Sequence, residues 1–247
     1  MLNKRFRHLF IAISFLIGVP VGGIATIAIN TAINNETKRV EREKYKDVLP
    51  FLLETENGVP IKAKVKDPIV VKVGMTGEER KQAIKAINDL DSISNTLNYR
   101  ILDTDNSSIY ADINISVDKN LQEAKDAFGN TNFTYKKETG YLMYPLNITI
   151  DDSIVNYYSS NGVSLVDYVV KHEMMHTLGF KDIYDEQYFN KTIMWHSVDN
   201  DMELDNFSEL DKKNIKSMYD NDYILVTRPK NIKIECNVKR KEDELSM

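Results

Sequence analysis

Between two turn signals the chain reads Ser164-Leu165-Val166-Asp167-Tyr168-Val169-Val170-Lys171-His172-Glu173-Met174-Met175-His176-Thr177-Leu178-Gly179-Phe180-Lys181-Asp182. Ser164 with Asp167 predicts a variant helix N-cap, and Leu165, Val166, Val169, Val170 and Leu178 recur at helical spacing to form an apolar face. Gly179 is placed to end the helix. On such a helix residues four apart share a face, so His172 and His176 present two imidazoles to one metal ion, with Glu173 leaning toward the ion's open side. Zinc hydrolases generally use three protein ligands and one exchangeable water, whose proton the metal makes easier to lose. The third ligand expected is Asp182, because a chain reversed at Gly179 brings back a carboxylate six residues beyond His176. With only four histidines in the chain, a chance occurrence of this histidine–glutamate–histidine spacing is expected on the order of one time in 250. The glycine and aspartate at fixed offsets lower that by roughly another two to three orders of magnitude.

Working outward toward the N-terminus, strand-like segments lie near Tyr141 to Ile150, Asn132 to Lys136, Ile109 to Val117 and Tyr99 to Leu102. Before them Ala83, Ile84, Ile87, Leu90, Ile93 and Leu97 give a second helix one apolar stripe, and Thr76 with Glu79 predicts its capping box. Ile69-Val70-Val71-Lys72-Val73 has strand composition. Toward the C-terminus, Ser208 caps a last helix in which Leu210, Ile215 and Met218 bury one side. A helix, a run of strands and two further helices predict an α+β domain. The alternation Asp199, Asp201, Glu203, Asp205 is similar to a hard-cation loop but lacks the central glycine of an EF-hand; a Ca²⁺ ion or a solvated acidic loop are the two readings.

The pattern from His172 to Asp182 resembles the metzincin clan of zinc endopeptidases, and its aspartate resembles the snapalysin-type branch, since the clan's usual third ligand is histidine. Met194, in Thr192-Ile193-Met194-Trp195-His196, sits where that clan places the methionine of a tight turn under the metal. Ser208 through Tyr219 is similar to the C-terminal helix of matrixins. The resemblance covers about residues 68–220 and implies a two-lobed catalytic domain with a mixed sheet, an active-site helix and a C-terminal helix. It also implies a bound Zn²⁺, Glu173 as general base, and calcium as a further possibility. His196 holds the position, two residues after Met194, where some metzincins have a tyrosine near the metal, which implies that it stabilises the oxyanion or replaces Asp182 as ligand; a histidine merely packed near the cleft is the other reading. Two alternatives stand beside this: a thermolysin-like site with Glu203 or Glu209 as third ligand, and a binding module whose zinc fold has lost catalysis. Substrate is expected to pair with an edge strand from within Tyr141 to Ile150.

The remaining segments set the surroundings. Leu9 to Ile29 carries no charge and, at about 1.5 Å per residue, matches one bilayer core. Lys4, Arg5 and Arg7 precede it, so the positive-inside rule predicts a cytoplasmic residue 1–8 segment, a 9–29 anchor and an external remainder. Secretion after signal cleavage is the alternative. Residues 30–67, charged and ending in Asp67-Pro68, are expected as a stalk, and 221–247 as a tail. The formal net charge is −5, and this lack of a basic excess argues against a nucleic-acid partner. Cys236 is the single cysteine, so no internal disulfide forms.

Overall fold

The computed structural model describes residues 47–102, 109–121, 127–155, 164–197 and 206–220, with a few positions between 35 and 45. The expected membrane anchor, the acidic run Asp199 to Asp205 with Glu203, and the tail with Cys236 lie outside the described residues. Among the described residues no helix is long and apolar enough to cross a membrane.

Alternation decides the first strand. Ile69, Val71 and Val73 are buried and the residues between them are not, so β1 (Ile69–Val73) presents one face to the core. Helix α1 (Gly77–Asp91) follows and buries Ala83, Ala86, Ile87 and Leu90. Thr76 at its N-cap makes no side-chain hydrogen bond, so the expected capping box is not formed. Strands β2 (Tyr99–Ile101), β3 (Ile113–Asp118), β4 (Gly129–Tyr135) and β5 (Leu142–Asp151) complete one five-stranded sheet in the order β2-β1-β3-β5-β4. All neighbours are parallel except β4, which pairs antiparallel with β5. The chain is thus an α+β domain with a mixed sheet.

That order corrects one expectation. The strand within Tyr141 to Ile150 is not an edge: β5 is bonded to β3 on one side and β4 on the other, and among the described residues the edge strands are β2 and β4. Hydrophobic alternation reports which face of a strand is buried, not which strands flank it.

Helix α2 (Leu165–His176) lies over β4 and β5, α1 lies over β1 and β2, and the two helices pack on each other. Ser164 at its N-cap makes no side-chain bond, and the Asp167 carboxylate is held instead by Lys85 and Lys171, each at 2.9 Å. Helix α3 (Glu209–Tyr219) carries the capping box expected at Ser208, closed by Asp211.

The second correction concerns the stalk. Tyr45, Val48, Phe51, Leu52, Ile61 and Ala63 are buried in the same core as the sheet and helices. Leu53 N–H donates to Gly179 O at 2.8 Å and Lys181 N–H to Phe51 O at 2.9 Å. The packed body therefore begins before Pro68, because this segment's apolar residues and backbone groups find partners far away in sequence.

Candidate metal centre

The end of α2 is set by glycine. Gly179 has φ +97°, a backbone region that other residues rarely adopt, and a Cβ there would run into the Ile61 carbonyl. Tyr219 reinforces the turn: its hydroxyl donates to Leu178 O at 2.6 Å and accepts from Ala63 N–H at 3.0 Å. The chain then doubles back, and Asp182 meets both imidazoles. Its Oδ1 lies 3.0 Å from His172 Nε2 and 3.4 Å from His176 Nε2.

The other nitrogen of each ring faces a backbone carbonyl at 2.8 Å, His172 Nδ1 toward Ile193 O and His176 Nδ1 toward Phe180 O. A carbonyl oxygen only accepts, so each Nδ1 carries a proton and each Nε2 is left facing the carboxylate. Three acceptors facing one point are stable only around a shared cation, a proton or a metal ion. The ligand atoms all lie within 4.8 Å of one another, and the 3.0 and 3.4 Å separations bracket the roughly 3.3 Å between donors of a tetrahedral ion with bonds near 2.0–2.1 Å. His172, His176 and Asp182 could thus hold a metal ion, and they are the one such group among the described residues.

Electrostatics agree with that geometry. Burial pulls the His176 imidazole down, but the hydrogen bond to Asp182 and the charges of Glu173 and Asp182 outweigh it, so its pKa rises above 6.5. Burial pushes the Asp182 carboxyl up, yet the two imidazoles hold it well below the usual carboxylate range. The cluster favours a net positive occupant between the ring nitrogens and the carboxylate.

Support comes from α3. The buried Asp211 carboxylate accepts from Thr192 Oγ1 at 2.6 Å, Ile193 N–H at 3.0 Å and the Ser208 cap. Burial pushes its pKa up against the hydrogen bonds that lower it. By fixing Ile193, Asp211 fixes the carbonyl that orients His172. Met194 follows in the same turn and is buried in the core.

A cavity of about 830 Å³ opens over the cluster, lined by His172, Glu173, His176, Asp182, Tyr184 and His196 together with Gly129, Thr131 and Phe133 of β4. Glu173 is buried. His196 is exposed, stacks on Tyr184 with ring centroids 4.5 Å apart, and stands outside the group of converging ligand atoms. The structure brings Asp182, not His196, to the histidines. Glu209, the other described alternative ligand, is at the surface paired with Lys212 at 2.8 Å. Sequence reasoning missed Gly129, Thr131 and Tyr184; nothing local marks the two β4 residues as facing a helix more than thirty positions away, or Tyr184 as stacking on His196.

No protein-family model and no curated protein matches the chain.

Proposed function

We propose that this chain is a zinc-dependent endopeptidase of metzincin type, anchored by residues 9–29 with its catalytic domain outside the cell. The observation that carries the reading is the convergence of two imidazoles, each locked by a backbone carbonyl, and one carboxylate beside the buried Glu173. Two nitrogens and one oxygen suit zinc, and three protein ligands leave a position open for chemistry. The antiparallel edge strand running beside the active-site helix and the α3 cap that braces the Thr192–His196 turn add further support.

When bound, zinc supplies Lewis-acid polarisation of water and of a carbonyl oxygen. The chain's own residues do the rest. Glu173 accepts a proton from the attacking water as its oxygen adds to the scissile carbonyl carbon, then passes that proton to the departing amine nitrogen as the C–N bond breaks. His196, at the cavity wall, would donate to the oxyanion as charge develops there. An extended peptide would lie along edge strand β4, which borders the cavity.

The test is hydrolysis of a diverse peptide library by the purified full chain, with and without a zinc chelator, beside Glu173→Gln. The expected outcome is chelator-sensitive internal cleavage, and a variant that keeps stoichiometric zinc with turnover lowered about 100-fold or more. Cleavage by Glu173→Gln within a few-fold of the parent would remove the general-base assignment.

A further inference from the structure

Edge strand β4 and helix α2 meet at the Glu173 carboxylate. Thr131 Oγ1 lies 2.6 Å from Glu173 Oε2 and 3.1 Å from the Glu173 carbonyl oxygen. A hydroxyl has one proton to give, and the shorter contact to the charged acceptor is the stronger one. The threonine is well fixed: its β-branch restricts χ1, and its backbone is registered against Ile148 of β5. Gly129, two residues earlier, points to the same side of the strand. A Cβ built there would stand 2.5 Å from Glu173 Oε1, 2.6 Å from Val169 Cγ1 and 2.8 Å from Glu173 Cγ. Gly129 is not among the glycines with positive φ, so its backbone does not demand glycine. The space that Glu173 occupies does.

Resting on the peptidase reading above, we propose that Thr131 is a positioning residue for Glu173 and that Gly129 provides the clearance its carboxylate requires. Thr131 engages Oε2, which leaves Oε1, over the bare backbone of Gly129 at the cavity wall, to take the proton. A base that must reach a water proton within hydrogen-bond distance gains from being held in one orientation before substrate arrives. The strand that would receive the peptide is thereby the strand that aims the base.

The experiment uses the full chain in detergent, loaded with zinc, and a peptide cleaved by the parent. Thr131→Val should lower kcat about 10- to 100-fold with KM and zinc stoichiometry unchanged, and Thr131→Ser should recover to within about 3-fold of the parent. Gly129→Ala should lose kcat similarly. In a Glu173→Gln background, Thr131→Val should cost nothing further. Thr131→Val within about 2-fold of the parent, or an equal loss in the Glu173→Gln background, overturns the proposal. If instead Glu173→Gln turns over like the parent, it is the general-base reading that fails. A readout independent of turnover is the ¹³C carboxyl resonance of Glu173 in glutamate-labelled, metal-free chain, identified by its loss in Glu173→Gln. It should move in Thr131→Val and Gly129→Ala and stay in Thr131→Ser; a resonance unmoved in Thr131→Val overturns the positioning role whatever the catalytic outcome.

Discussion

Two imidazoles one helical turn apart need a third donor from outside the helix, and Asp182 reaches them because Gly179 reverses the chain within three residues of His176. His196 arrives by a separate turn and spends its ring on stacking with Tyr184. Asp182→Ala should therefore lose zinc or bind it far more weakly, whereas His196→Ala should keep stoichiometric zinc and lose at most rate. Metal analysis of the two purified variants decides, and zinc retained in the first but lost in the second would reverse the ligand set. His176 and Asp182 make stability depend on pH with a sign that reverses on metal removal. In the metal-free chain His176 is raised, so its contribution is complete below the unfolded imidazole value and is lost as pH climbs through the folded one. Asp182 is depressed, so its contribution is present above the unfolded carboxylate value and is lost only as pH falls through the folded one. Zinc needs deprotonated imidazoles, so its stabilisation grows as pH rises. Between about pH 6 and 8, Tm in chelator should fall with pH while the Tm gain from zinc rises. Parallel curves with and without zinc would mean that the histidines do not exchange protons for metal.

Helix α2 shows what periodicity reveals about an element and what it hides. Its apolar stripe is legible, but the helix is buried nearly all round, Lys171 included. Lys171 Nζ lies 2.8 Å from Asp89 Oδ2 and 2.9 Å from Asp167 Oδ2, and Lys85 closes the network onto the same two carboxylates at 2.9 Å each. These ion pairs tie α1 to the helix that carries His172 and His176. Lys171→Met should destabilise the fold by about 2–4 kcal/mol, somewhat under the full cost of a broken buried pair because Lys85 still neutralises the carboxylates. Lys85→Met, at a half-exposed site, should cost under about 1 kcal/mol. Urea denaturation of the two variants measures the contrast, and equal losses would show that burial of Lys171 carries no special weight. No sequence signal separates Lys171 from a solvated lysine, since an Asp167–Lys171 pair four residues apart suits an exposed helix face equally well and Asp89 is supplied by another helix. The same holds for β4 and β5, whose existence follows from composition while their order in the sheet does not. The capping boxes divide similarly: Ser208 finds Asp211 three residues on, but the Asp167 carboxylate is held by Lys171 of its own helix and by Lys85 of α1, the second of which local reading cannot see.

Over the whole molecule, what local spacing could specify was legible: the α+β class, the helix with its paired histidines, and Asp182 behind the glycine. The segment before Pro68 was not, because its charges read as a stalk while its burial depends on residues more than a hundred positions away. Leu53 pairs with Gly179, Lys181 with Phe51, and Ala63 with Tyr219. These bonds brace the very turn that returns Asp182 to the histidines, so the segment belongs to the metal centre's scaffold. Val48, Phe51, Leu52 and Ile61 are buried, and at about 1.5–3 kcal/mol for each such side chain their burial is worth about 6–12 kcal/mol. That matches the whole net stability of an ordinary domain, about 5–15 kcal/mol. A fragment of residues 68–247 should therefore unfold without a cooperative transition and bind zinc at least about 10-fold more weakly than a fragment of residues 36–247. Calorimetry and metal titration of the two fragments provide the comparison. If they melt and bind alike, the segment is a passive cover; if the shorter one melts cooperatively yet loses zinc, the segment serves the Gly179 turn alone and the core stands without it.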